Sequence, residues 1–165
     1  MGHSVQVRDL YKIGFDPVLT EEDFSSMGRG QIPEDIKKEQ DFVAAADVIT
    51  LIYPVWWAGM PAIMKGYIDR VLAYGFAYAY TPQGELQSLL AGKKGWIINT
   101  QGEAEEIYRK NGMSRSIDQA AEEGIFDFTG ISPLGRLCFG SVQDAGEEQG
   151  KKILDELEKK IRGLF

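Results

Sequence analysis

Two adjacent tryptophans, Trp56 and Trp57, are the side chains in this sequence that point most clearly to chemistry. They follow an apolar run that ends at Tyr53, and they precede Gly59 and Pro61, which are residues typical of a rigid turn. Such a turn can direct backbone N–H groups at a ligand, and two indoles can form the wall of a pocket for a large flat molecule. Aromatic residues also supply buried area, so the pair could instead only cover the edge of a sheet.

Three further groups favour the pocket. Tyr78 and Tyr80 alternate with alanines, which places two phenol hydroxyls on one face of a short strand. Residues 99–102 (NTQG) follow a second apolar run and offer backbone donors to an oxygen-rich ligand edge. Tyr108 could donate a hydrogen bond to developing negative charge, or could simply be a half-buried aromatic. Together they describe aromatic walls with a few directed donors, as in a site for a planar ligand.

For the other side chains that are able to do chemistry, the sequence predicts no functional role. The acidic residues Glu103, Glu105 and Glu106 are predicted to form an exposed acidic loop. Cys138 lies in an apolar strand and is predicted to be inert core.

Alternating strands and helices must position these groups. Strands are predicted at 5–10, 48–53, 75–80, 95–100 and 137–139, and helices at 33–46, 63–72, 114–127 and 147–164. Residues 11–32 are predicted to be a long irregular loop. The order of elements predicts an α/β sandwich with a parallel sheet. Because ligands bind at the carboxyl ends of parallel strands, the loops at 54–60 and 100–102 are expected to be neighbours there.

Composition restricts the function. The 165 residues predict one domain, 1–165, and a net charge of −7 argues against a nucleic-acid partner. A single cysteine and a single histidine predict no metal site and no internal disulfide, and they fit a reducing, cytoplasmic location. No apolar run reaches the roughly 18–20 residues of a membrane span. The absence of Gly-x-Ser-x-Gly, Walker and Gly-x-Gly-x-x-Gly motifs argues against hydrolases, P-loop nucleotidases and Rossmann dehydrogenases.

The segments at 53–66 (YPVWWAGMPAIMKG), 76–80 (FAYAY) and 99–102 (NTQG) together resemble the flavodoxin-like NAD(P)H:quinone oxidoreductases of the DT-diaphorase type. The segments at 7–11 (VRDLY), 15–19 (FDPVL) and 23–24 look like the same family's region after its second strand. The resemblance covers nearly the whole chain. It implies a flavodoxin-like three-layer sandwich with a parallel sheet.

The resemblance also implies a cofactor and a reaction. FMN or FAD would bind at the sheet edge, NAD(P)H would donate a hydride, and a quinone or related acceptor would leave with two electrons in a ping-pong sequence. The implied flavin-binding residues are Pro54, Val55, Trp56, Trp57, Ala58, Thr100, Gln101 and Gly102. The implied substrate pocket is lined by Trp57, Tyr78 and Tyr80, with the tyrosines contributed across a homodimer interface. The implied catalytic positions are Tyr108, which would help to carry charge at the flavin O2, and Ser114.

Two of these positions depart from the family pattern. Ser114 stands where the family has a catalytic histidine, and a serine cannot carry positive charge near neutral pH. Charge stabilisation would then rest on Tyr108 and backbone donors, and hydride transfer is expected to be slower. Ala58 stands where an aromatic residue usually follows the tryptophan, which opens the pocket.

The family's first strand, flavin-phosphate loop and first helix, a unit of roughly 30 residues, have no counterpart in this sequence. In the strand order 2-1-3-4-5 the first strand is central, so its two neighbours would keep unpaired backbone groups. Three outcomes are expected: the second strand pairs directly with the third, a partner chain supplies the pairing, or the chain is an incomplete product of a longer gene. In each case flavin affinity is expected to be reduced.

Two other functions remain open at this point. One is a non-catalytic or flavin-deficient flavodoxin-like domain that acts as a dimer or binding partner. The other is a one-electron carrier.

Overall fold

A three-stranded parallel sheet lies at the centre of the computed structural model, which describes residues 2–164. The strands of the protein are β1 (Val48–Pro54), β2 (Tyr78–Tyr80), β3 (Leu86–Ser88), β4 (Lys94–Thr100) and β5 (Ser132–Phe139). The helices are α1 (Glu21–Gly28), α2 (Glu34–Ala45), α3 (Ala62–Val71), α4 (Glu105–Lys110), α5 (Met113–Asp118) and α6 (Glu147–Leu164). A π-helical segment (Gln119–Asp127) continues α5. The central sheet has the order β1–β4–β5, and β2 and β3 form a separate antiparallel hairpin.

β4 is the interior strand, and it is buried on both faces. Trp96 and Ile98 pack against apolar side chains of α6. Ile97 belongs instead to the larger core, which contains Leu51 of β1 and Val43 of α2. This two-sided burial explains why the strand is a continuous apolar run rather than an alternating one. Because helices cover both faces, the predicted three-layer α/β sandwich with a parallel sheet is confirmed.

The elements that carry a strong local pattern lie where the sequence predicts them. β1, β4, α2 and α6 match their predicted ranges within about two residues at either end. β5 begins at Ser132 rather than at residue 137, because Pro133, Gly135 and Arg136 hide its apolar alternation. The strand predicted at 75–80 is shorter, because it is preceded by a turn in which Gly75 has a φ of 84°.

Helix α1 lies where the sequence predicts only an irregular loop. Its first turn is closed by a capping box, in which Asp23 N donates to Thr20 Oγ1 (3.4 Å) and Thr20 N donates to Asp23 Oδ2 (2.8 Å). Arg70 of α3 donates to Asp23 Oδ1 over 2.9 Å and so ties α1 to the core. The ion pair joins residues far apart in the chain, so a local pattern does not reveal it.

The strand predicted at 5–10 is wrong. Residues 2–9 belong to no strand, and Val5 and Val7 are largely exposed. The segment is held instead by Arg8, whose Nε donates to Glu39 Oε2 over 2.9 Å. Among residues 2–164, β1 pairs with β4 and with no other strand, so the expected direct pairing of the second strand with the third is also wrong. An alternating pattern alone does not form a strand unless tertiary contacts place the segment beside the edge of another strand.

Helix α6 covers one face of the sheet. Ile153, Leu157 and Ile161 pack on the cluster around Trp96, whereas Leu154 is 64% exposed. The rest of its surface is charged, so the helix is strongly amphipathic. Within residues 2–164, no helix combines the length and apolarity that crossing a bilayer requires.

Candidate functional site at the carboxyl edge of the sheet

The loops that follow β1 and β4 meet at one edge of the sheet. Pro54 lies opposite Thr100 in the parallel register, and Val55 N donates to Thr100 O over 2.7 Å. The end of β5 joins them, because Gln101 N donates to Phe139 O over 3.0 Å. The prediction that these loops are neighbours is therefore confirmed.

The tryptophan loop is a tight turn with unusual backbone angles. Trp56 N donates to Gly59 O over 3.0 Å, and Gly59 N donates to Trp56 O over 2.9 Å. Between them Trp57 and Ala58 have φ angles of 50° and 58°, in the left-handed region that glycine favours. The strained residues are thus not Gly59 and Pro61, which the sequence predicts to set the turn. Such conformations cost about 1–3 kcal/mol each and are enriched at functional sites.

The turn presents an aromatic surface and two free donors. The Trp57 side chain is fully exposed and that of Trp56 is 55% exposed, so neither indole fills the sheet edge. Among the described residues, the backbone N–H groups of Trp57 and Ala58 have no hydrogen-bond acceptor. The alternative that the pair only covers the edge as core area is therefore wrong for Trp57.

A half-buried carboxylate, that of Glu105, contacts the second loop. Gln101 is almost fully buried, and its Nε2 donates to Glu105 Oε2 over 3.1 Å. Ser114 Oγ donates to the other oxygen, Glu105 Oε1, over 2.8 Å, and Arg136 Nη2 lies 3.4 Å from the same atom. The predicted exposed acidic loop is thus wrong at Glu105, although Glu103 and Glu106 are exposed.

Arg136 of β5 brings a positive charge to this cluster, beside the carboxylates of Glu105 and Asp118. Burial would lower the pKa of its guanidinium, but a hydrogen bond to Asp118 and the charges of Asp118 and Glu105 raise that pKa above its ordinary value. Within the described part of the chain, Arg136 Nη1 and Gln101 Oε1 are both buried and neither has a hydrogen-bond partner. Sequence reasoning missed both Glu105 and Arg136, because charged residues are usually solvated. An arginine between the apolar residues of β5 was the available signal.

Cys138 lies beside the same cluster and stays protonated. Burial, and then a hydrogen bond to Glu105, raise the pKa of its thiol to about 12. A thiol in this state is a poor nucleophile, in agreement with its prediction as inert.

The predicted tyrosines lie in different places. Tyr108 is half-buried on α4, directly after the second loop. Tyr78 belongs instead to an aromatic cluster on the hairpin, where its ring centroid lies 5.0 Å from that of Phe128 and 6.1 Å from that of Tyr80. It lines a small cavity of about 180 Å³ with residues of α3 and the π-helical segment. The structure therefore does not bring Tyr78 to the tryptophan turn of its own chain.

A larger cavity, of about 300 Å³, lies elsewhere, beside Arg70 at the end of α3. None of its lining residues belongs to the two loops. The Arg70 guanidinium already contacts Asp23, Asp35 and the carbonyl of Asp16, so it offers no unpaired charge to a ligand. The turn and the second loop are therefore the better candidate site, although they form an open edge rather than a closed cavity.

Proteins of known sequence and structure resemble this chain over most of its length. A family model described as the flavodoxin-like fold matches residues 1–164. An uncharacterized NAD(P)H oxidoreductase from Haemophilus influenzae is 40% identical over 154 residues, which cover 93% of this chain and 76% of that protein. The human ribosyldihydronicotinamide dehydrogenase (quinone) is 28% identical, over 99% of this chain and 79% of its own length. The solved NAD(P)H:quinone oxidoreductase from Methanothermobacter marburgensis superposes with a TM-score of 0.83 at 26% identity, over 99% of this chain and 84% of that one.

Proposed function

Because this chain belongs to the flavodoxin-like NAD(P)H:quinone oxidoreductase family, we propose that it is a flavin-dependent enzyme that reduces a quinone or a related acceptor with NAD(P)H. The observation that carries the proposal is the meeting of two loops at the carboxyl edge of the sheet, where Val55 N donates to Thr100 O. In open α/β sheets this edge is where ligands bind.

The chain's own groups fit a flat ring system that carries hydrogen-bond acceptors. The free N–H groups of Trp57 and Ala58 supply two donors, and the exposed indole of Trp57 supplies an aromatic wall. The two hydrogen bonds between Trp56 and Gly59 hold the turn, and with it these donors, in place before a ligand arrives, so binding does not have to order them. We therefore assign residues 54–58 to one side of the flavin and residues 100–102 to the other.

The chemistry that a bound flavin supplies is two-electron transfer, first from NAD(P)H and then to the acceptor, in a ping-pong sequence. The chain contributes binding and charge stabilisation. We assign to Tyr108 the role of donor to negative charge on the ring, because α4 begins directly after the second loop. Ser114 has its hydroxyl bonded to Glu105, so we assign it an indirect role through that carboxylate.

The position of the two tyrosines on the hairpin favours a homodimer. Tyr78 and Tyr80 lie in their own aromatic cluster rather than at the tryptophan turn, and Tyr80 is exposed. We propose that they line the substrate pocket of a partner subunit, across a dimer interface.

Reconstitution tests this function. The purified protein, incubated with FMN or with FAD and freed of excess ligand, is expected to retain a visible flavin absorption band. It is then expected to oxidise NADH or NADPH only when a quinone such as menadione is present, with parallel lines in double-reciprocal plots. A folded protein that retains neither flavin would contradict the proposal and would favour a non-catalytic binding domain.

A further inference from the structure

The carboxylate of Glu105 connects three parts of the chain that meet at the proposed flavin edge. Its Oε2 accepts from Gln101 in the second loop (3.1 Å), and its Oε1 accepts from Ser114 of α5 (2.8 Å). Arg136 of β5 approaches Oε1 at 3.4 Å. The side chain of Glu105 is only 23% exposed, although Glu105 begins a short helix with two glutamates in its first turn.

The backbone of this loop is also fitted closely against the end of β5. A Cβ atom at Gly140 would lie 2.6 Å from Glu105 N and 2.8 Å from Glu103 O. Val142 N donates to Gln101 O over 3.2 Å, and Gln101 Nε2 donates to Glu103 O over 3.2 Å. Contacts from the segment that follows β5 and from Glu105 therefore hold residues 100–105 in one conformation.

We propose that Glu105 is a positioning residue for the flavin: it fixes the conformation of residues 100–105 through Gln101, Ser114 and Arg136 before the flavin binds. This inference rests on the proposed function. A loop held in its bound shape costs less entropy to order on binding, so the benefit is expected in affinity.

The neighbouring Glu106 shows what an ordinary surface glutamate looks like here. It is 78% exposed, and it pairs with Lys110 one turn further along α4 over 2.9 Å. Exposed pairs of this kind contribute at most about 1 kcal/mol to stability. Glu106 therefore provides a matched control on the same helix.

The test compares Glu105→Gln with Glu106→Gln in the full chain. In Glu105→Gln an amide replaces the carboxylate, which removes the charge opposite Arg136 and places a donor opposite the Gln101 amide. We expect the dissociation constant of FMN or FAD, measured by fluorescence titration, to rise about tenfold, the loss that one charge-assisted hydrogen bond represents. We expect Glu106→Gln to bind as the wild type does.

Thermal unfolding without flavin separates positioning from a general loss of structure. A purely structural role lowers the unfolding midpoint and leaves the dissociation constant unchanged at temperatures well below it, and that result would overturn the inference. Equal losses of affinity in both variants would also overturn it.

If Glu105→Gln does not fold, the variant Ser114→Ala replaces it, because this change removes one donor and keeps the carboxylate. A severalfold weaker flavin affinity supports the inference, and an unchanged affinity overturns it. A wild type that binds no flavin would instead overturn the proposed function, before any variant is compared.

Discussion

At position 57 a fully exposed indole is attached to a backbone in the left-handed region. Neither property stabilises the folded protein, because the side chain buries no area and the conformation is strained for any residue with a Cβ. Both the exposed indole and the left-handed backbone are explained if Trp57 contacts a ligand. The amides of Trp57 and Ala58 are the central ones of a two-residue turn, and such amides are open to a ligand.

This leads to a prediction for Trp57→Gly. Glycine tolerates the left-handed conformation, so we expect the free energy of unfolding to stay within about 1 kcal/mol of the wild type. Loss of the aromatic wall is expected to weaken flavin binding severalfold, up to about tenfold. Chemical denaturation and flavin titration measure the two effects.

The control for this variant is Ala58→Gly, which relieves the same kind of strain and keeps the indole. It is expected to retain most of the affinity. If Trp57→Gly binds flavin as tightly as the wild type, the indole is not part of the site.

Residue types alone predicted the tryptophan turn as a site, but they did not predict its geometry. The sequence favours Gly59 as the residue with special backbone angles, and the structure gives those angles to Trp57 and Ala58. Glu105 could not be identified in advance either, because only the fold brings Arg136 and Ser114 to it.

At the scale of elements, the candidate site depends on how closely β5 and the second loop approach each other. Gly140 permits this approach, since a side chain there would collide with backbone atoms rather than with a flexible side chain. Backbone atoms cannot move aside without disturbing the loop at 100–105. The end of β5 is therefore as important to the site as the loop itself.

We predict that Gly140→Ala lowers the free energy of unfolding by about 1–3 kcal/mol and weakens flavin binding together with it. Gly150→Ala is the control, because a Cβ there meets no atom within 4 Å and the position lies inside α6. It is expected to stabilise the protein by up to about 1 kcal/mol without changing flavin affinity. Similar losses of stability in the two variants would contradict this explanation.

Helix α1 gives a prediction for pH. Burial would raise the pKa of Asp23, but hydrogen bonds from Arg70 and Thr20 outweigh it and hold the pKa below its usual value. A lowered pKa contributes stability above the unfolded-state value, and that stability is lost as the pH falls through the folded-state value. We therefore expect the free energy of unfolding of the wild type to decrease as the pH drops below about 4.

The comparison is with Asp23→Asn, which lacks the titrating group. Its stability is expected to be lower near neutral pH and to decline less on acidification. Parallel pH profiles of the two proteins, recorded by denaturant unfolding, would show that the Asp23–Arg70 pair does not hold α1.

Elements could be predicted where their sequence pattern is local, and the predictions failed where an element depends on distant partners. β1, β4, α2 and α6 have strong apolar periodicity, so each was found from the sequence. Helix α1 depends on Arg70 of α3, and the segment predicted as a strand at 5–10 is held by Arg8 to Glu39 of α2 instead of pairing with a strand.

At the scale of the whole molecule, the two outer strands of the sheet differ in their protection. β5 contains Pro133, Arg136 and a glycine with a φ of 94°, which are features that discourage pairing at an edge. β1 (VITLIYP) contains no charge, and its Ile52 is 64% exposed. Within residues 2–164, no strand pairs with the other edge of β1. Because β1 resembles an interior strand, this edge is expected to pair with another strand.

We predict that the protein self-associates through β1 as its concentration rises. Raising the salt concentration should strengthen the association, because a net charge of −7 repels a second copy. Ile52→Lys is expected to suppress it in sedimentation-velocity experiments.

Leu154→Lys is the matched control, because Leu154 on α6 has the same 64% exposure. It leaves the strand edge intact, so it is expected to associate as the wild type does. If both variants associate equally, exposed apolar area in general, and not the strand edge, causes the association.

The central claim is that a flavin binds between the tryptophan turn and the loop after β4. A crystal structure of the chain with bound FMN or FAD tests it most directly. We predict that the ring system lies against residues 56–58 and 100–102 and accepts hydrogen bonds from the backbone amides of Trp57 and Ala58. A flavin located in the cavity beside Arg70, or a ring that contacts neither loop, would contradict the account.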